Sequence, residues 1–154
     1  MCIRDSVNTL RLWSARAADP LKLKLDSFNH GDYVGAMADR MRVEAISRVL
    51  YPSDETPAGQ ELRLQQEFFF TSASLQDLVR RHIARHGSLS TLPDYAAIQL
   101  NDTHPAIAVA ELMRLLVDER DLPWAEAWRV TQATLNYTNP VSYTHLTLPT
   151  NREV

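Results

Sequence analysis

The stretch from Gln60 to about Arg85 reads as one long helix, and its apolar side chains constrain the chain more than any other feature. Leu64, Phe68, Thr71, Leu75 and Leu78 recur at three- and four-residue steps and form one stripe. Leu62, Phe69, Val79 and Ile83 widen it. So broad an apolar surface on so long a helix requires burial inside a large body. Gly87 is placed to stop it, because glycine takes the left-handed C′ conformation without a Cβ penalty.

The elements around this helix alternate in type. Leu10 to Ala17 alternates apolar with polar or small residues, the period of a half-buried strand, until Asp19-Pro20 breaks it. Asn29-His30-Gly31-Asp32 is turn chemistry, and Asp32 can cap a helix beginning at Tyr33. Val34, Met37, Met41, Ala45 and Val49 share one face of that helix, which ends near Leu50. Tyr51 to Gly59 is a loop rich in proline and small polar residues. Beyond the long helix, Tyr95 to Leu100 is short and apolar enough to be a buried strand. A helix then runs to about Asp118, and another from Pro123 to about Leu135. Trp124 and Trp128, one turn apart, are expected in the core rather than as a sugar platform.

Strands interspersed with helices imply a helix-rich α/β body. Two short strands cannot form a sheet covered on both faces. The helices also carry more apolar surface than a chain of 154 residues can bury alone, which marks a piece of something larger. The formal net charge of -3 offers no clustered basic excess for nucleic acid. The nearest candidate, Arg80-Arg81-His82 with Arg85 and His86, is a short helical patch. A single cysteine, Cys2, excludes an intramolecular disulfide and fits a reducing cytoplasm. No apolar run reaches the ~20 residues a membrane helix needs. No metal-type His/Cys cluster, phosphate loop or nucleophile elbow occurs.

The ends differ from the middle. Residues 1–6 and the tail 140–154 look like translated adapter sequence, and we expect both to be non-native, with 7–139 as the native segment.

Chemistry has two candidate locations. Asn101-Asp102-Thr103-His104-Pro105 joins a strand end to a helix start, where open α/β sheets gather ligands and helix N-termini offer backbone donors. Asp102 and His104 could hold sugar hydroxyls there, since a carboxylate accepts and a histidine can do either. The alternative is that Asp102 or Thr103 caps the helix and His104 is a packed or solvated turn residue. Ser53-Asp54-Glu55-Thr56 is either a pocket gate or a solvated connector. Asp118, Glu119 and Asp121 read as a solvated helix end.

Several stretches together resemble the glycogen/maltodextrin (α-glucan) phosphorylases, particularly bacterial ones. They are Asn8 to Ala15, Ile46 to Pro52, Glu61 to Leu64, Ser74 to Arg81, Ala97 to Pro105 running into Glu111 to Arg114, and Tyr137-Thr138-Asn139. The resemblance implies part of a Rossmann-like N-terminal domain in a two-domain glycosyltransferase architecture of GT-B type. It implies a parent that cleaves an α-1,4-glucan with inorganic phosphate to give glucose 1-phosphate, commonly as a homodimer. Pyridoxal phosphate would be bound there through a lysine of the C-terminal domain, outside this chain.

Residue by residue, Asp54 matches the acidic residue of the family's gate loop, and Asp102 and His104 match the pair lining the glucose site. Glu55 stands where many members have asparagine. Arg80 and Arg81 match an arginine pair that regulated animal members use for effector phosphate, a role not carried over here. After Asn139 the family continues with a histidine, whereas this chain has Pro140. The segment is expected to carry no catalytic residue or metal, and to be inactive alone. A non-catalytic helical scaffold or binding module derived from such an enzyme is the second expectation.

Overall fold

Asp32 caps its helix as the sequence predicts, with its carboxylate accepting a 2.8 Å hydrogen bond from the Gly35 amide. In the computed structural model, which describes residues 9–18 and 24–139, this helix belongs to the first of two compact units, Met1–Leu62 and Arg63–Val154. The first unit contains α1 (Leu25–Asn29), α2 (Tyr33–Arg48) and the first turns of α3 (Pro57–His86). Gly31, at φ 85°, makes the turn between α1 and α2, and the rings of Phe28 and Tyr33 meet edge to face at 4.9 Å.

Two expectations need correction here. Leu10 to Ala17 is not a strand: Leu10 and Leu12 are 83% and 86% exposed, and no strand among the described residues pairs with them. Alternation alone cannot make a strand without a ladder partner. The segment is instead tied down where the Ala15 amide donates to Oγ of Ser47 at 2.8 Å. The apolar face of α2 is largely uncovered, with Val34 at 74%, in keeping with helices that carry more apolar surface than the chain can bury, while Ala36, off that face, is buried. Finally, α3 begins at Pro57 rather than Gln60. Thr56 caps it by accepting from the Gly59 amide at 3.1 Å, and proline is tolerated in the first turn because its missing N–H is not needed there.

The second unit is built on the rest of α3, a 3₁₀ turn (Leu89–Thr91), α4 (Leu92–Tyr95), β1 (Ile98–Asn101), α5 (Ala108–Val117), α6 (Trp124–Thr134) and β2 (Leu135–Thr138). Gly87 ends α3 at φ 77°, as expected. β1 and β2 pair in parallel with Ile98 opposite Leu135 and Leu100 opposite Tyr137, and α5 and α6 supply the crossover that parallel pairing requires. The result is a helix-rich α/β fold around a small parallel sheet. Leu92, Leu112, Leu115, Leu116 and Val130 fill its core, packed against Leu75, Val79 and Leu100.

β2 replaces the strand expected at the N-terminus. It was hidden because Leu135 leaves α6 directly into extended backbone, with no turn residue between. The buried face of α3 keeps Leu75 and Val79 but takes in Ser72 and His82, while Leu64 and Phe68 are exposed. Those polar groups are buried because they are bonded: Ser72 to Glu111, and His82 to the Ser88 carbonyl and the Thr91 hydroxyl. Trp124 and Trp128 are not core residues, being 68% and 41% exposed. Helix α6 buries Ala127, Val130, Thr131 and Thr134 instead.

Candidate functional site

The loop from β1 to α5 leaves the sheet at the carboxyl end of a parallel strand. The Asp102 amide continues the ladder by donating to the Thr138 carbonyl at 2.7 Å. Asp102 then turns the chain with φ 67°, a left-handed conformation that aspartate tolerates better than most residues. Its Oδ1 accepts from the Thr103 amide at 2.6 Å, which fixes the turn.

This geometry removes helix capping from the possible roles of the motif. Neither Asp102 nor Thr103 caps α5, whose N-cap position is Ile107 with no side-chain bond. The amides of Ala108, Val109 and Glu111 bond back to the carbonyls of Pro105, Ala106 and Ile107. The start of α5 therefore lacks the full set of free donors expected of a helix N-terminus.

The side chains of the motif come together. Nε2 of His104 stands 3.9 Å from Oδ2 of Asp102, and Nδ1 of the same ring faces Oε1 of Glu67 on α3 at 3.5 Å. All three are partly buried rather than fully solvated. Glu67 carries no motif signal and was not singled out from sequence; only the fold brings α3 against this loop. The two carboxylates flank opposite ring nitrogens, and no three His, Cys, Asp or Glu side chains among the described residues form a metal-binding group.

Asp54 lies in the other unit, on the exposed connector between α2 and α3. Its carbonyl accepts from the Gln60 side chain at 3.1 Å, which ties the connector to the first turn of α3. Arg80 and Arg81 are both held by the buried carboxylate of Asp77, at 2.6 and 2.8 Å. Behind the loop, Arg114 hydrogen-bonds Glu111 and holds its carboxyl below the usual glutamate range, with a further contribution from Ser72, against the opposing effect of burial. Asp118, Glu119 and Asp121 are exposed, as expected of a solvated helix end, with Glu119 engaged by Arg114 at 2.8 Å.

The family model for carbohydrate phosphorylases matches residues 3–149. The chain belongs to the carbohydrate phosphorylase family. It is 50% identical to a glycogen phosphorylase of Chlamydia pneumoniae over 135 residues, 88% of this chain and 16% of that protein. It is 50% identical to the human liver form of glycogen phosphorylase over 96% of this chain and 18% of that protein. A glycogen phosphorylase of Synechocystis is likewise 50% identical over 88% of this chain. The chain thus spans less than a fifth of the length of these relatives. The family match reaches into both end segments, 1–6 and 140–154.

Proposed function

We propose that this chain is a segment of an α-1,4-glucan phosphorylase that contributes glucan contacts but none of the reacting groups. The observation that carries this is the pairing of Asp102 and His104 at the carboxyl end of a parallel strand, in a chain of this family. A carboxylate and an imidazole edge 3.9 Å apart, held on a fixed turn, can hydrogen-bond sugar hydroxyls. Asp54 is a further glucan contact, on a connector whose base is tied down by Gln60. In the parent, a second domain completes a GT-B-type cleft, phosphate is the acceptor, glucose 1-phosphate is the product, and the enzyme is a cytoplasmic homodimer. No helix among the described residues is long and apolar enough to cross a membrane.

Pyridoxal phosphate would supply proton transfer through its phosphate in the parent. The residues present do not fit that group. The chain has two lysines, Lys22 and Lys24; Lys22 lies outside the described residues, and Lys24 pairs with Asp39 at 3.2 Å. No step is therefore assigned to the cofactor on this chain. We propose that residues 7–139 are the native segment and that the ends 1–6 and 140–154 are not, a reading the family match over 3–149 does not itself support. Reading the natural locus across the codons for Asn139 to Val141 tests this, since a native frame would continue with histidine in place of Pro140.

The site assignment is tested by titrating the full chain with maltotriose and following its backbone amides by NMR. Shifts centred on Asp102, Thr103 and His104 are expected. Saturable shifts that leave this loop unmoved would refute the assignment, as would no shifts at all.

A further inference from the structure

His82 and His86 stand one turn apart near the end of α3, facing Tyr95 of α4. Their ring centres are 4.8 Å apart, and the Tyr95 ring stacks on His86 at 3.7 Å. Side chains four residues apart share one strip of helix surface. The pair belongs to no metal motif, and no metal is expected from the sequence. It qualifies only through what the fold does with its nitrogens.

Two neighbours fix the tautomer of His82. Its Nε2 lies 2.9 Å from the Ser88 carbonyl and 3.2 Å from the Thr91 hydroxyl. A carbonyl only accepts, and the Thr91 hydroxyl donates its one proton to that same carbonyl at 2.9 Å. Both partners are therefore acceptors, and Nε2 carries the proton. In the neutral ring Nδ1 then holds the lone pair. It has no hydrogen-bond partner among the described residues, and it is not sealed off, since no buried side-chain nitrogen among them lacks a partner. A histidine that ligates a metal characteristically donates its other N–H to a backbone carbonyl or carboxylate, which fixes the ring. His82 already has that arrangement.

His86 makes no hydrogen bond among the described residues. Desolvation, then His82 and Arg85, lower its pKa from the ordinary 6.5, so the ring is neutral and able to ligate at neutral pH. Both rings line one cleft of about 500 Å³. The separation suits a shared ion. An ion about 2.0 Å from a ring nitrogen stands roughly 3 Å from the centre of that ring. Rings 4.8 Å apart can then meet one ion at about 100°, between the tetragonal and tetrahedral angles. Arg85 lines the same cleft, and Arg80 and Arg81 lie beside it, held by Asp77. These cations and the lack of oxygen ligands disfavour calcium and magnesium, and leave ions that bond imidazole strongly.

We propose that His82 and His86 together bind a divalent late transition metal (zinc, nickel or copper), with water completing the coordination and His82 oriented by its bond to Ser88. The proposal does not depend on the glucan reading given above.

The test is a titration of the isotope-labelled full chain with zinc chloride in neutral buffer. Histidine ring signals are followed by NMR and assigned through their own backbones. The His82 and His86 signals are expected to shift together and to saturate at one equivalent. In His86→Asn, the saturable shift at His82 is expected to be lost. If neither ring moves in the unaltered chain, or if other histidines alone take up the zinc, the proposal is overturned without recourse to any variant. A shift at only one of the two rings overturns it as well. So does a saturable His82 shift that survives in a His86→Asn chain whose amide spectrum shows it folded.

Discussion

The Ser72 hydroxyl on α3 donates a 2.5 Å hydrogen bond to Oε1 of Glu111 on α5, joining two helices across 39 residues of chain. Glu111 is buried, and its other bonds come from Arg114, which lies in the same helix and is about 40% exposed. Glu111→Ala therefore removes the acceptor of a buried hydroxyl and the partner of a half-exposed guanidinium. The expected loss is about 1–3 kcal/mol, since a buried polar group left unsatisfied costs roughly that much. Urea unfolding followed by circular dichroism measures it. Ser72→Ala should cost less, because Arg114 still holds the carboxylate.

Acid should weaken the fold through the same residue. The folded pKa of Glu111 lies below its ordinary value of 4.5, chiefly through the Arg114 hydrogen bonds. The unfolded chain then takes up the proton first as pH falls. The stabilisation is fully present above the ordinary glutamate range and is lost as pH drops through the folded value. Glu111→Gln should flatten the acid limb of a stability–pH profile while leaving the neutral region lower but level.

His86 acts in the same direction at higher pH. Its ring stacks on Tyr95 at 3.7 Å, and desolvation, then the neighbouring His82 and Arg85, lower its pKa from the ordinary 6.5. Its contribution is present above that value and fades as pH falls below it. His86→Phe keeps the stacking and should remove the slope near neutrality. A slope unchanged in that variant would assign it to another group.

Gly59→Ala should disturb the connector that carries Asp54. A Cβ at position 59 would collide with the backbone carbonyl oxygen of Ser53, which cannot swing aside as a side chain can. Alanine is the better helix former by about 1 kcal/mol, but overpacking typically costs ~1–3 kcal/mol and should win. Lower urea stability and amide shifts confined to residues near 53–56 are expected.

Much of this fold is legible in the sequence where local chemistry decides it. The Asp32 cap, the Gly87 stop and the run ending in β1 each depend on a few neighbouring residues. What is not legible depends on partners distant in the chain. β2 is a strand because β1 lies beside it, and Leu10 to Ala17 is not one because no described strand pairs with it. Ser72 and His82 face inward because Glu111, Ser88 and Thr91 meet them there. Asp102 and His104 are visible as a motif, whereas Glu67 enters only once α3 is placed against the loop.

The exposed apolar residues carry a prediction of their own. Val34, Met41, Leu64, Trp124 and others stand 56–74% exposed. Faces of this kind drive association when nothing covers them. We expect concentration-dependent association and binding of a hydrophobic dye by the isolated chain. A sharp two-state transition without dye binding would favour a self-sufficient scaffold module instead.

Release of glucose 1-phosphate by the purified chain, supplied with maltoheptaose, inorganic phosphate and pyridoxal phosphate, tests the central claim most directly. No product above the protein-free control is predicted, because the role proposed for this segment is sugar contact without a reacting group. Turnover that follows the chain through purification would contradict the account and place the chemistry within these 154 residues.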